Sequence, residues 1–158
     1  MTRLHQIQQA VGARTEAIAS DHGAWPCRKG CDDCCRQLAS EPLLTGEEWT
    51  LVEKAISALP RDVASDIIER IRSGANAQRP VVCPMLDAGS GACLVYEARP
   101  IACRTYGFYA ERDKVLGCYR IEVLAQGSPD VVWGNQATVE ATLGPARALS
   151  EWASEPTV

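Results

Sequence analysis

Residues 27–35 read CRKGCDDCC, which places Cys27, Cys31, Cys34 and Cys35 within nine positions. Cys83, Cys93, Cys103 and Cys118 come singly after them and complete a set of eight. Thiols this dense pair as disulfides, hold a metal ion or hold an iron–sulfur cluster. Zinc takes four tetrahedral ligands with sulfur at about 2.3 Å, and a [4Fe–4S] cluster takes four thiolates. Cysteines two or three residues apart on a turn, completed by others from a distant segment, meet either demand. His5 and His22 are the only two histidines, so a tetrahedral site here must be nearly all sulfur. His22, alone before the loop, reads as a surface imidazole rather than a ligand. Cys34 and Cys35 are neighbours and project differently from an ordinary backbone, so one of them is expected to serve another site or to stand as a structural thiol. Eight sulfurs divide into two four-cysteine sites, or into one cluster with spare thiols, and spacing leaves that division open.

Composition favours metal over disulfides. The chain has 158 residues, 46% of them apolar and 23% charged, the profile of a globular protein. That length is most simply one domain over residues 1–158 and buries a core without staples. Net charge is −4, which asks for neither nucleic acid nor an anionic membrane. No apolar run reaches the length of a membrane span, and MTRLHQIQQAVGARTEAIAS lacks a secretory h-region. Cytoplasm is the resulting expectation, and cytosolic thiols stay reduced. At roughly 5% of the chain, cysteine is also sparser than in a disulfide scaffold.

The elements that must position these sulfurs are legible in part. Leu4, Ile7, Val11 and Ile18 mark one face of a helix over about 3–20, imperfect at Arg14-Thr15 and weakened by Gly12. Gly23 and Pro26 end it, and the cysteine nest comes next in a loop. Thr45 and Glu48 form a capping box, with Leu44 and Trp49 at the staple positions. Trp49, Val52, Ile56 and Leu59 line the helix they open, and Pro60 closes it. Val63, Ile67 and Ile71 predict a second helix over about 61–73, with Gly74 past its end. Val81-Val82-Cys83 reads as a strand, DAGSG (87–91) as a glycine turn and Ala92–Tyr96 as the return strand. Pro100 can open a short helix, Val115–Cys118 reads as a strand, and a tail over 135–153 reads as helix broken at Gly144-Pro145. The predicted fold is α+β: a small, mainly helical domain with a short hairpin and an irregular cysteine-rich centre over about 22–120.

Two known patterns bear on the nest. Cys27-x3-Cys31-x2-Cys34 has the spacing of radical S-adenosylmethionine enzymes, but Asp33 stands where they carry an aromatic, and no strand–helix alternation supports their barrel. CRKGCDDCC together with CPML (83–86), CLVY (93–96) and RPIACRTYG (99–107) resembles the YkgJ-type cysteine-cluster family, a zinc- or iron-chelating domain. The resemblance spans about residues 27–107, with Cys118 beyond it. It implies that Cys27, Cys31, Cys34, Cys35, Cys83, Cys93 and Cys103 are metal ligands, with Cys118 an eighth candidate beyond the motifs, and that the cofactor is an iron–sulfur cluster, [4Fe–4S] first, or zinc. It also implies an oxidoreductase role as one possibility, since family members are often labelled so. Arg99, Pro100, Arg104 and Tyr106 map onto the segment around Cys103.

Four thiolates on Zn²⁺ or on a [4Fe–4S]²⁺ cluster leave two surplus negative charges, so nearby cations are expected. Arg28, Lys29, Arg36, Arg99 and Arg104 lie close in sequence to the candidate ligands. Tyr106, Phe108 and Tyr109 could screen a cluster from water, and Phe108 reads rather as core. No nucleophile elbow, phosphate loop or dinucleotide fingerprint is present, and no carboxylate pair stands out. Three functions fit: a metal-stapled structural module, an iron–sulfur enzyme or electron carrier, and a metal-buffering or protein-binding adaptor.

Overall fold

The computed structural model describes residues 1–155. In chain order its elements are α1 (Arg3–His22), α2 (Asp33–Arg36), β1 (Leu43–Leu44), α3 (Gly46–Ser57), α4 (Arg61–Gly74), β2 (Leu86–Asp87), β3 (Ala92–Cys93) and a 3₁₀ turn (Tyr96–Ala98). Next come α5 (Ile101–Thr105), β4 (Tyr109–Glu111), β5 (Lys114–Leu116), α6 (Tyr119–Gly127), β6 (Gly134–Asn135), α7 (Gln136–Leu143), β7 (Arg147–Ala148) and α8 (Leu149–Ala153). The fold is α+β, mainly helical, with short strands. Two compact units share it: an N-terminal unit of Met1–Arg28 with Ile101–Gly144, and a central unit of Lys29–Pro100 with the chain from Pro145 onward.

The N-terminal unit is organised by α1. Thr2 caps the helix, its hydroxyl accepting from the His5 amide at 3.1 Å, and Leu4, Ile7, Val11 and Ile18 are buried as the period predicts. The polar interruption at Arg14-Thr15 has a structural meaning: it separates two apolar groups. Leu4, Ile7 and Val11 pack with Ile101 and Tyr109. Ile18 packs with Trp25, Ile121 and Val131. A three-stranded sheet, order β5-β4-β6, lies in the same unit. β4 is antiparallel to β5, with Tyr109 opposite Leu116, and parallel to β6, with Tyr109 opposite Gly134. Ile121 is fully buried, worth about 1.5–3 kcal/mol by removal from water.

In the central unit the capping box forms as expected. The Thr45 amide donates to Glu48 Oε2 at 2.8 Å, and the Glu48 amide to Thr45 Oγ1 at 3.3 Å. Leu44, Val52, Ile56, Ile67 and Ile71 make the core between α3 and α4. The C-terminal segment completes it. β7 pairs with β1, Trp152 Nε1 donates to the Leu44 carbonyl at 2.8 Å, and Glu41 accepts from the Ser150 amide and hydroxyl at 2.9 and 2.8 Å.

Several boundaries differ from expectation. The hairpin around the glycine turn exists, but its first arm is β2 rather than 81–83; Val81 makes only an isolated bridge to Leu38. Pro80 and Pro84 flank that stretch and carry no amide hydrogen to give a ladder, and the chain turns where the Leu86 amide donates to the Cys83 carbonyl. Gly74 is the last residue of α4 rather than the first beyond it. The nest, expected as loop, contains the one-turn helix α2. The 135–153 tail resolves into α7, β7 and α8 about Gly144. Helix α6 and strand β4 have no counterpart in the sequence-based expectation.

Candidate metal centre

In the central unit the Cys31–Cys35 part of the nest is fixed by the segment packed against it. Its single helical turn is closed by the Arg36 amide on the Asp32 carbonyl at 3.0 Å. The 81–93 segment lies along that turn. The Cys83 amide donates to the Cys35 carbonyl at 2.6 Å, and Leu38 and Val81 exchange two backbone bonds at 2.8 and 3.0 Å. Arg36 spans the two segments: Nε pairs with Asp32 at 2.5 Å and Nη2 donates to the Ala88 carbonyl at 3.3 Å. Gly91, at φ +74°, lets the hairpin turn sit on this pair, since a Cβ there would lie 2.9 Å from Asp32 Oδ2. Across the hairpin, Cys93 stands opposite Leu86, three residues beyond Cys83. Cys34, Cys35, Cys83 and Cys93 are thereby brought into one neighbourhood from two distant stretches of sequence.

The thiols there feel one another. The Cys35 thiol donates to the Cys34 sulfur and brings Cys34 down to about 7, against burial that pushes the other way. The two neighbours expected to point apart are in contact. Burial pushes Cys83 up to about 11, and the charges of Cys93 and Cys34 add to the rise. Burial also raises Cys93, opposed by the Arg99 guanidinium. Arg99 is held for that role: its guanidinium stacks 3.7 Å over the Tyr96 ring, and its Nε donates to the Tyr96 carbonyl at 3.0 Å. Lys29 covers the same ring at 5.0 Å and meets Glu97 at 3.7 Å, an exposed pair of little energetic weight. Cys31 lies in the same unit, half-buried, before α2.

Cys27, Cys103 and Cys118 belong to the N-terminal unit. Cys27 and Cys118 pack against the Ile18–Trp25–Ile121–Val131 group. Cys103 sits in the middle of α5 with Arg104 beside it, and Cys118 is the N-cap residue of α6. Tyr106 is 37% exposed, whereas Tyr109 is buried and Phe108 packs between the unit's two apolar groups. Two positions of the site are not signalled in the sequence. Trp25 is buried and donates Nε1 to the Gly107 carbonyl at 3.2 Å. Gly107, at φ +92°, lies directly against the Cys27 sulfur. Trp25 belongs to no period or motif, and Gly107, although it closes the RPIACRTYG segment, has no local signal for its contact with Cys27. His22 stacks obliquely near Trp25, ring centroids 5.9 Å apart.

All eight cysteines stand as thiols rather than disulfides. Among the described residues no three Cys, His, Asp or Glu side chains are drawn up at ligand spacing, so closing on an ion calls for side-chain rotation from positions the backbone sets. The donor set is sulfur throughout, which suits zinc and iron and not the hard cations that oxygen holds. Two surface grooves of about 660 and 560 Å³ in the central unit are lined without any cysteine, so the thiols stand apart from both. No helix among the described residues is long and apolar enough to cross a membrane.

A family model described as CxxCxxCC, "Putative zinc- or iron-chelating domain", matches residues 26–122, more than half of the chain. The match runs from the residue before Cys27 to four residues past Cys118, so it takes in all eight cysteines. In this chain three residues rather than two separate the first pair. No characterised protein and no solved structure matches the chain.

Proposed function

We propose, for a chain that belongs to the CxxCxxCC family of zinc- or iron-chelating domains, that its metal is an iron–sulfur cluster held by Cys34, Cys35, Cys83 and Cys93 of the central unit. The observation that carries this reading is the docking of the Cys34–Cys35 turn on Cys83, with the Cys83 amide bonded to the Cys35 carbonyl. Two adjacent thiolates reach a single ion with difficulty. A [4Fe–4S] cluster offers each its own iron, so adjacency costs less there. When bound, such a cluster supplies one-electron chemistry.

The chain's own residues set the conditions for it. Arg99 places a fixed positive charge toward Cys93, and the Arg36–Asp32 pair holds the nest to the hairpin turn. Cys83 is 7% exposed, which keeps water from that ligand. A reducing compartment such as the cytoplasm would keep these thiols available. Zinc is the second reading, favoured by the same sulfur-only donor set, and makes the unit a stapled structural module.

Anaerobic purification with elemental analysis and a visible spectrum separates the two. Brown protein with four iron and four sulfide per cluster, bleached by dithionite, is the expected result. Colourless protein with stoichiometric zinc would replace the cluster by the staple, and protein with no bound metal would overturn the reading.

A further inference from the structure

The larger groove of the central unit, about 660 Å³, opens between α3, α4 and α8, and its size is that of a ligand-binding cleft. Trp49, Ile56, Ala64, Ile68 and Trp152 give it an apolar lining. Both indoles stay half-exposed, although Trp49 stands at a staple position of α3 and Trp152 Nε1 donates to the Leu44 carbonyl at 2.8 Å. The charges along the groove are unbalanced. Glu53, Glu69 and Glu155 stand against one cation, Arg72, whose Nε donates to the Ala153 carbonyl at 2.9 Å. Arg147 meets Glu155, but among the described residues neither Glu53 nor Glu69 pairs with a cation. The chain itself shows what such a lining holds. Arg147 lays its guanidinium 4.3 Å from the centre of the Trp152 ring and pairs with Glu151 and Glu155, a cation–π contact backed by carboxylates. Trp49 with Glu53 and Glu69 offers the same ingredients, and among the described residues no cation takes them up. The second groove differs: Asp66 is paired with Arg70, Asp87 holds its own turn, and no aromatic lines it.

We propose that this groove docks a basic, amphipathic segment of a protein partner, its arginine or lysine side chains meeting Glu53 and Glu69 and its aliphatic side chains lying on Trp49, Ile68 and Trp152. Three helices frame the groove, so a helix laid along it is the form that fits. Half-exposed tryptophans carry a large share of binding energy at interfaces, and unpaired carboxylates beside them steer a basic partner in. The groove carries no cysteine, so its occupant is independent of the metal.

The test follows the full-length chain by fluorescence anisotropy as it binds a fluorescein-labelled synthetic helical peptide with arginines flanking a leucine face. Saturable binding is expected, weaker as salt rises. Glu53→Lys with Glu69→Lys should weaken it about tenfold or more. Glu122→Lys with Asp130→Lys makes the same charge change at exposed positions of the N-terminal unit and should change it less than about twofold. Peptides with glutamate for the arginines, or serine for the leucines, should bind about tenfold more weakly or worse. If the Glu53→Lys, Glu69→Lys pair does not fold, Glu53→Gln with Glu69→Gln, which keeps the side-chain shape, carries the test with the same sign. No saturable binding, equal losses in the two lysine pairs, or full affinity for the serine peptide would overturn the proposal. Sedimentation of the chain alone at the same concentrations should show no association through this groove. Self-association that Glu53→Lys with Glu69→Lys abolishes would give the groove to a second copy and overturn the assignment as well.

Discussion

The central and N-terminal units treat their cysteines differently. In the central unit the Cys34–Cys35 turn of the nest is docked, backbone to backbone, on the segment that carries Cys83 and Cys93. Several ties, among them the Cys83–Cys35 bond and the Leu38–Val81 pair, share that task. In the N-terminal unit the cysteines come from three separate segments, and a single glycine joins their hydrogen bonds. Redundant positioning tolerates the loss of one tie, whereas a single hub does not. The contrast also separates thiols placed by local spacing, which sequence displays, from thiols placed by tertiary contact, which it does not.

Substitutions probe that contrast, and the largest effects lie in the two cores. Ile67→Ala in the central unit and Ile121→Ala in the N-terminal unit, both fully buried, should each cost about 2–5 kcal/mol in urea unfolding. A cost under about 1 kcal/mol at either, well below that range, would mean that the unit's core is misassigned. Two of the glycines at positive φ come next. Gly107→Ala adds a clash with a sulfur to the strain of its backbone and should cost about 2–4 kcal/mol. Gly91→Ala meets only the end of the Asp32 side chain, which can turn aside, so about 1–2 kcal/mol of backbone strain remains. Equal costs would remove the distinction between a hub and one tie among several.

Smaller changes sharpen the picture of the central unit. Thr45→Ala removes the capping hydroxyl from α3 and should cost about 0.5–2 kcal/mol while leaving metal content unchanged. The Cys83 thiol gives a pH dependence to the metal-free protein. Its value rises from the ordinary 9 to about 11 through burial, so the folded state prefers the neutral form. The stabilisation is full below pH 9 and is lost as pH climbs from 9 through 11. By about pH 10 the loss should be about 1 kcal/mol in chemical denaturation, and Cys83→Ala should abolish that component of the slope.

Much of the helical frame is legible in the sequence because local rules govern it. The Leu4–Ile7–Val11–Ile18 stripe, the Thr45–Glu48 box and the Val63–Ile67–Ile71 face each declare a helix within a few turns of chain, and each helix is present. The nest is legible for the same reason, since four cysteines in nine residues need no partner to be noticed. Strands of two or three residues carry no usable alternation, and β4 escapes notice on that account. Val81–Cys83 looks like a strand by composition, but its flanking prolines withhold the amides a ladder needs. The partnership of Trp25 with Gly107 spans 82 residues, and nothing local in either segment announces it. The contact between the Cys34 and Cys35 thiols is hidden for another reason. An extended backbone would send the two side chains apart, whereas α2 makes a helical turn there.

The most direct test of the central claim is site-resolved alkylation of the anaerobically loaded protein, read by mass spectrometry before and after chelation. Cys34, Cys35, Cys83 and Cys93 should resist labelling together in the loaded state and become reactive together once the metal is removed. Eight cysteines that label at the same rates with and without metal, or protection that omits Cys83 and Cys93, would contradict the account.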